Sequence, residues 1–228
     1  MTFSFGPRQL VLALDHAVSY ARDDFLPGPS NAAALALVER WPDWPNRVMV
    51  LVGPEGAGKT HLAEMWAETA GARVLAANLL SEETLPTALA TGALVLEDLE
   101  ADGLDERALF HLLNLAREEG AFVLITARAH PATFRVAIRD LGSRLRAVPS
   151  VALAAPGDEL LRLVMVKLAA DRQIVLDEAV VGYVANRIER SFAAARSAVL
   201  ALDEEAMRRH RPITRALAAE LFRAPEGA

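Results

Sequence analysis

The stretch Val48-Met49-Val50-Leu51-Val52-Gly53-Pro54-Glu55-Gly56-Ala57-Gly58-Lys59-Thr60 decides how the chain is read. Its first five residues form an unbroken apolar run of strand length. Such a run suits a strand buried on both faces, as in a parallel sheet. The octet that follows fits G-x-x-x-x-G-K-[ST] at every defined position. Glycines there let backbone N–H groups converge on a polyphosphate with no side chain in the way. A helix opening at about Thr60 adds the partial positive charge of its N-terminus. Lys59 places a compact ammonium against the β- and γ-phosphates, and Thr60 offers a hydroxyl to Mg²⁺. Lysine is otherwise scarce: of 24 basic residues only Lys59 and Lys167 are lysine. A lysine retained in an arginine-rich chain reads as one that chemistry demands.

Working outward, strands and helices alternate. A helix is expected over 32–39, capped by Ser30 or Asn31 and closed by Pro42 and Pro45. Further strands are expected over 73–76, 93–96, 121–126 and 151–153. Helices are expected over 60–70, 83–90 and 105–118, with Gly71 and Gly120 ending the first and last of these. Alternation at this spacing argues for a three-layer α/β parallel sheet. Beyond about residue 155 the pattern turns all-helical, with helices expected over 156–171, 177–187, 189–209 and 214–223. The organisation read from this is a tail over 1–19, an α/β body over 20–154 and a helical appendage over 155–228.

The strand over 93–96 runs into Glu97-Asp98. Carboxylates at a strand end beside a phosphate loop can hold Mg²⁺ and orient a water. Glu97 is the candidate metal ligand with Thr60, and Asp98 the candidate water-polarising group. Glu100 and Asp102 follow, so a solvated acidic turn is the competing reading.

Composition narrows the function classes. The 228 residues include no cysteine, which excludes a disulfide scaffold, thiolate zinc sites and a cysteine nucleophile. Charged residues make up 24% and hydrophobic ones 53%, the balance of a globular chain. The formal net charge of −6 argues against tight non-specific binding to nucleic acid, which needs clustered cations. No apolar run approaches the roughly 20 residues of a membrane span. The N-terminus has no basic flank and no small-residue cleavage site, so the expected location is the cytoplasm.

Taken together, these residues resemble the AAA+ ATPases, and within them the DnaA/Hda branch. Gly58-Lys59-Thr60-His61-Leu62 resembles that branch's phosphate loop. Phe25-Leu26-Pro27-Gly28-Pro29-Ser30-Asn31 resembles its F-x-x-G-x-S-N segment, which wraps adenine and ribose. Ile125-Thr126 falls at the sensor I position, and Gly142-Ser143-Arg144-Leu145 resembles the segment carrying an arginine finger. The helical appendage resembles the AAA+ lid. Its sensor II arginine falls nearest Arg190 and Arg196, three residues either side of Ala193; a solvated helix face is the alternative for both.

The resemblance favours the regulatory, Hda-like side of the branch. The chain is expected to stop after the lid, leaving no dedicated DNA-binding domain. Gln9-Leu10-Val11-Leu12-Ala13-Leu14 resembles the Q-L-x-L-x-L peptide that docks on the DNA polymerase sliding clamp. Gln9, Leu10, Leu12 and Leu14 would make that contact, as an extended segment with alternate apolar side chains for a groove. An ordinary N-terminal strand is the other reading. The resemblance implies ADP or ATP bound with Mg²⁺ by Phe25, Gly53, Pro54, Glu55, Gly56, Ala57, Gly58, Lys59, Thr60 and His61. It implies Arg144 as a finger acting in trans on ATP held by DnaA, and at most a weak ATPase of the protein's own. The outcome would be negative regulation of replication initiation; a homo-oligomer is possible. An ATP-driven helicase loader or other DNA-remodelling ATPase is the alternative, and a metabolic P-loop kinase a third.

Overall fold

The computed structural model describes residues 20–223. Five strands, β1 (Val48–Val52), β2 (Arg73–Ala76), β3 (Ala93–Leu99), β4 (Phe122–Ala127) and β5 (Ser150–Ala152), form one parallel sheet in the order β2-β3-β4-β1-β5. Helices α1 (Ala32–Glu39), α2 (Lys59–Ala70), α3 (Leu85–Ala88), α4 (Glu106–Glu119) and α5 (Arg139–Ala147) flank it. Then α6 (Asp158–Asp171), α7 (Glu178–Ala185), α8 (Phe192–Arg209) and α9 (Arg215–Leu221) form the helical lid. Among the described residues no helix is long and apolar enough to cross a membrane.

The period-2 geometry of the strands divides the body into two cores. Val48 and Val50, Leu94 and Leu96, and Val123 and Ile125 face α3, α4 and α5. Met49 and Leu51, Val95, and Leu124 face α1 and α2. On that second side Trp66 of α2 is fully buried, stacked on Trp44 at 4.9 Å between ring centroids. The lid has a third core of its own, built on Leu161, Met165, Val184, Val199 and Leu202.

Several boundaries differ from the sequence expectation, each for a physical reason. The short helix expected over 83–90 is only Leu85–Ala88. Helix α5 was not anticipated, because Gly142 and Ser143 are poor helix formers and no local cap announces it. Its start is instead held from a distance: both carboxylate oxygens of Glu106, in the first turn of α4, accept backbone N–H groups, from Ala137 at 2.8 Å and Ile138 at 2.9 Å. Helix α8 begins at Phe192 and not at 189, because the Ser191 hydroxyl caps it by accepting from the Ala194 N–H at 3.1 Å. Arg190 therefore precedes the helix and does not share a helical face with Arg196.

The largest departure lies in β3. The strand does not end at Leu96 but continues to Leu99. Leu96 pairs with Ile125 and Leu99 with Ala127, so Glu97 and Asp98 together oppose the single residue Thr126. This is a β-bulge, a device that re-aims side chains and releases a backbone group from the ladder. Asp98 adopts φ 52°, a left-handed conformation that Asp tolerates better than most residues. Its released N–H donates to the hydroxyl of fully buried Thr126 at 2.9 Å.

Replacing that hydroxyl by a methyl group of the same shape isolates its contribution. Thr126→Val is expected to lower stability by about 1–3 kcal/mol, the cost of an unpaired buried donor. The midpoint of urea unfolding measures it, with Thr126→Ser close to wild type. An unchanged Thr126→Val midpoint would remove the hydroxyl's role in holding the bulge.

Candidate functional site

The site is built where β1 passes into α2. The turn between them carries Gly53, Pro54, Glu55, Gly56, Ala57 and Gly58, and Lys59 opens the helix. Gly58 stands at the N-cap with φ 95°, so no side chain caps α2. The backbone N–H groups of its first turn are left for another partner. Two glycines here are required by backbone angle, and Gly56 by close approach as well. A Cβ on Gly56, at φ 70°, would fall 2.5 Å from Cβ of Ser191, and one on Gly58 3.3 Å from the Phe192 ring. Both neighbours belong to the lid, at the start of α8. The Phe192 N–H also donates to the Gly56 carbonyl at 2.9 Å. Lid and loop are thus one continuous site.

Lys59 is buried, and its ammonium donates to the carbonyls of Gly53 at 2.9 Å and Pro54 at 3.0 Å. Burial lowers its pKa, Asp98 pulls it back up, and Arg128 lowers it again. Burial also raises the pKa of Glu97, opposed by the neighbouring Thr60 hydroxyl. One Glu97 oxygen, Oε1, is buried without any hydrogen-bond partner. Among the described residues no group of three or more His, Asp or Glu side chains could hold a metal by itself. Thr60 with the orphaned Glu97 oxygen nevertheless suits Mg²⁺, which takes one or two protein ligands and completes its shell with phosphate oxygens and water.

A second wall of the site comes from the segment before α1. Phe25 is buried, and its ring meets His61 edge-on at 5.2 Å between centroids. Tyr20 also meets the His61 ring edge-on, at 5.4 Å between centroids. The turn between Phe25 and α1 is closed by Asn31, whose Oδ1 accepts from the Gly28 N–H at 2.8 Å and whose amide donates to the Leu26 carbonyl at 3.1 Å. The result is an aromatic wall beside a phosphate-type cradle, the pairing a nucleotide needs.

The candidate arginines separate. Arg196 lies exposed on α8, close enough to His61 for its charge to lower the imidazole pKa, behind the larger effect of burial. Arg190 is held by Asp158 at the start of α6, at 2.9 Å. Arg144 lies on α5 with its guanidinium 5.0 Å from the ring centre of Phe110 on α4. Its helix packs on the sheet face opposite α2. The other lysine, Lys167 of α6, bridges Asp24 at 2.5 Å and Asp171 at 2.9 Å, and so ties lid to body. The tail residues Gln9, Leu10, Leu12 and Leu14 lie outside the described residues. Arg128, Ser191 and Phe192 belong to the site but were not singled out from sequence. Arg128 had one signal: it stands two residues beyond Thr126, at the end of an apolar strand.

The sequence matches no protein-family model and no curated protein. Solved structures do match. Domain III of the replication initiation protein DnaA from Thermotoga maritima is similar with a TM-score of 0.70 at 19% identity, over 90% of this chain and 98% of that one. Replication initiator DnaA bound to AMPPCP and single-stranded DNA is similar with a TM-score of 0.65 at 18% identity, over 84% of this chain and 68% of that one. The RuvB Holliday junction branch migration motor of Thermotoga maritima gives a TM-score of 0.68 at 17% identity, over 89% of this chain and 70% of that one. At such identities the likeness establishes the fold alone, a parallel α/β body followed by an all-helical lid, as in DnaA domain III and RuvB.

Proposed function

We propose that this chain binds ADP or ATP at the β1–α2 turn and acts as a regulator of the DnaA/Hda type. One observation carries the nucleotide reading. A buried lysine opens an uncapped helix after a loop in which Gly53 and Gly56 leave no room for a Cβ, and the lid is bonded to that loop. Phe25 and His61 would flank the base, and the loop amides and Lys59 would take the phosphates. Thr60 and Glu97 would hold Mg²⁺, which neutralises phosphate charge when bound. Asp98 is held in its bulge by Thr126, where it would orient a water.

The finer reading is that the Gln9–Leu14 peptide docks on the sliding clamp and that Arg144 serves ATP held by DnaA. Its support is the tail motif, the likeness to DnaA domain III, and the place of Arg144. That residue stands on a helix on the face away from its own phosphate loop, braced on Phe110 and with its helix pinned by Glu106. A guanidinium presented in this way suits a neighbour's phosphate better than its own. The likeness to RuvB favours a second reading, a DNA-remodelling motor, which would require vigorous hydrolysis by Glu97 and Asp98.

Three outcomes are expected. Lys59→Ala should weaken ADP and ATP binding in calorimetry by about 10- to 100-fold, as loss of a charge-assisted contact; unchanged affinity would sink the nucleotide reading. Replacing Gln9, Leu10 and Leu12 together by alanine should abolish co-elution with the clamp while leaving the melting temperature nearly unchanged. A large drop in melting temperature with docking intact would make the peptide a core strand. Arg144→Ala should keep nucleotide affinity and clamp docking but lower stimulated ATP hydrolysis by DnaA by about 10³-fold or more. Arg144→Lys should rescue little, because an ammonium lacks the planar fork. Wild-type stimulation by Arg144→Ala in single-turnover assays on clamp-loaded DNA would remove the finger assignment.

A further inference from the structure

Strand β2 stands at the rim of the sheet. One of its edges pairs with β3, and among the described residues no strand pairs with the other. A rim strand leaves a row of N–H and C=O groups unpaired, which is a template for another extended chain. The cover over this strand is also incomplete. Leu75 turns to the face that packs on the α3 and α4 core. Val74 turns to the opposite face, beside α2, and stays 43% exposed. Leu79, just past the strand, is 61% exposed. Helix α2 buries Val95 of β3 and Leu124 of β4 on that side. Beside β2 it leaves an open cleft of about 520 Å³, bounded by Tyr20, Glu64, Ala67, Glu68, Ala72 and Val74.

The charge along this cleft selects what fits it. Glu64 and Glu68 lie one turn apart on α2, and among the described residues neither carboxylate has a cationic partner. Like charges at that spacing repel one another. A cation set between them relieves the repulsion, whereas an anionic chain such as nucleic acid would add to it. The floor beneath is apolar, made by Ala67, Ala72 and Val74. A long basic side chain suits both features, since its aliphatic stem covers apolar surface while its charged head stays in water.

We infer that the free edge of β2 takes an extended segment of a partner protein in which basic and apolar residues alternate. The segment's backbone continues the sheet, which supplies affinity, and its alternate side chains supply specificity. Each lysine or arginine on the α2 side lays its stem over Val74 and brings its charge to Glu64 and Glu68. The apolar residues between them pass to the other face, next to Leu75. Glu64 stands four residues past Thr60, so the partner would lie one helical turn from the candidate Mg²⁺ ligand. The inference stands independently of the nucleotide reading.

Fluorescence anisotropy of a labelled hexapeptide of alternating lysine and valine, titrated with the full chain, tests this. Binding is expected, and Glu64→Gln combined with Glu68→Gln is expected to weaken it about fivefold, as the loss of two exposed ion pairs. Glu118→Gln combined with Glu119→Gln, exposed on α4, is expected to leave it unchanged. Melting curves confirm that both double variants fold. Backbone N-methylation of the peptide separates strand pairing from general attraction to an acidic chain, and needs only the wild-type protein. Methylating the lysine amides alone, or the valine amides alone, blocks one edge of the peptide at a time. One pattern is expected to abolish binding and the other to preserve it. Equal effects of the two patterns, equal weakening by the two glutamate pairs, or no binding by the wild-type chain overturns the inference. Binding that appears only after residues 1–19 are removed makes the chain's own tail the occupant. Binding that falls as a dimer forms in sedimentation makes a second copy the occupant. Either result overturns the assignment to a partner protein.

Discussion

The need for glycine at positions 56 and 58, at Gly56 for want of room and at both for their left-handed backbone, is the constraint on which the rest of the site depends. Each glycine is pressed by a lid residue, Ser191 or Phe192, and the Gly56 carbonyl is bonded to the lid backbone. A side chain at Gly56 would drive Ser191 from the loop, and one at Gly58 would crowd the Phe192 ring. The consequence runs both ways. Whatever settles on the loop amides bears on the start of α8, and any rotation of the lid moves the Gly56 carbonyl. Lys167 adds a second tie between α6 and Asp24, in the segment that carries the aromatic wall. The lid is therefore joined to both halves of the candidate pocket, the phosphate side and the ring side.

Facing the loop is a pair of carboxylates placed by a bulge. Two residues of β3 opposite one of β4 turn Glu97 toward Thr60 and free the Asp98 N–H, which Thr126 then satisfies. Burial of Glu97 with one oxygen unpartnered leaves a polar group whose cost calls for a cation or a proton. Burial of Lys59 likewise favours a compensating anion. The two groups are close enough for each charge to act on the other's pKa, and their preferences have opposite sign. Under the proposed function, nucleotide phosphate with Mg²⁺ would answer both.

Much of this was legible in the sequence because it is written locally. The apolar run over 48–52 specified a buried strand, the octet after it specified the turn, and Gly71 and Gly120 marked helix ends through their own backbone freedom. What escaped was settled by partners remote in the chain. Helix α5 starts where Glu106, more than thirty residues earlier, supplies its cap. The bulge at Glu97-Asp98 depends on register against Thr126, which no window along β3 contains. Arg128 acquires meaning only when β4 is laid beside β1. The separation of Arg190 from Arg196 turned on Ser191, a capping residue visible in the sequence but read there as part of a longer helix. Clamp docking rests on the tail, which lies outside the described residues, and on resemblance.

The central claim is that one site, made jointly by loop and lid, takes a nucleotide. Amide proton–nitrogen spectra of the isotopically labelled chain, recorded during titration with ADP and Mg²⁺, test it most directly. The account predicts that the largest shifts fall on the amides of residues 56–61 and, in the same titration, on Ser191, Phe192 and the first turn of α8. Shifts that saturate elsewhere while the loop and the start of α8 stay unmoved would contradict it.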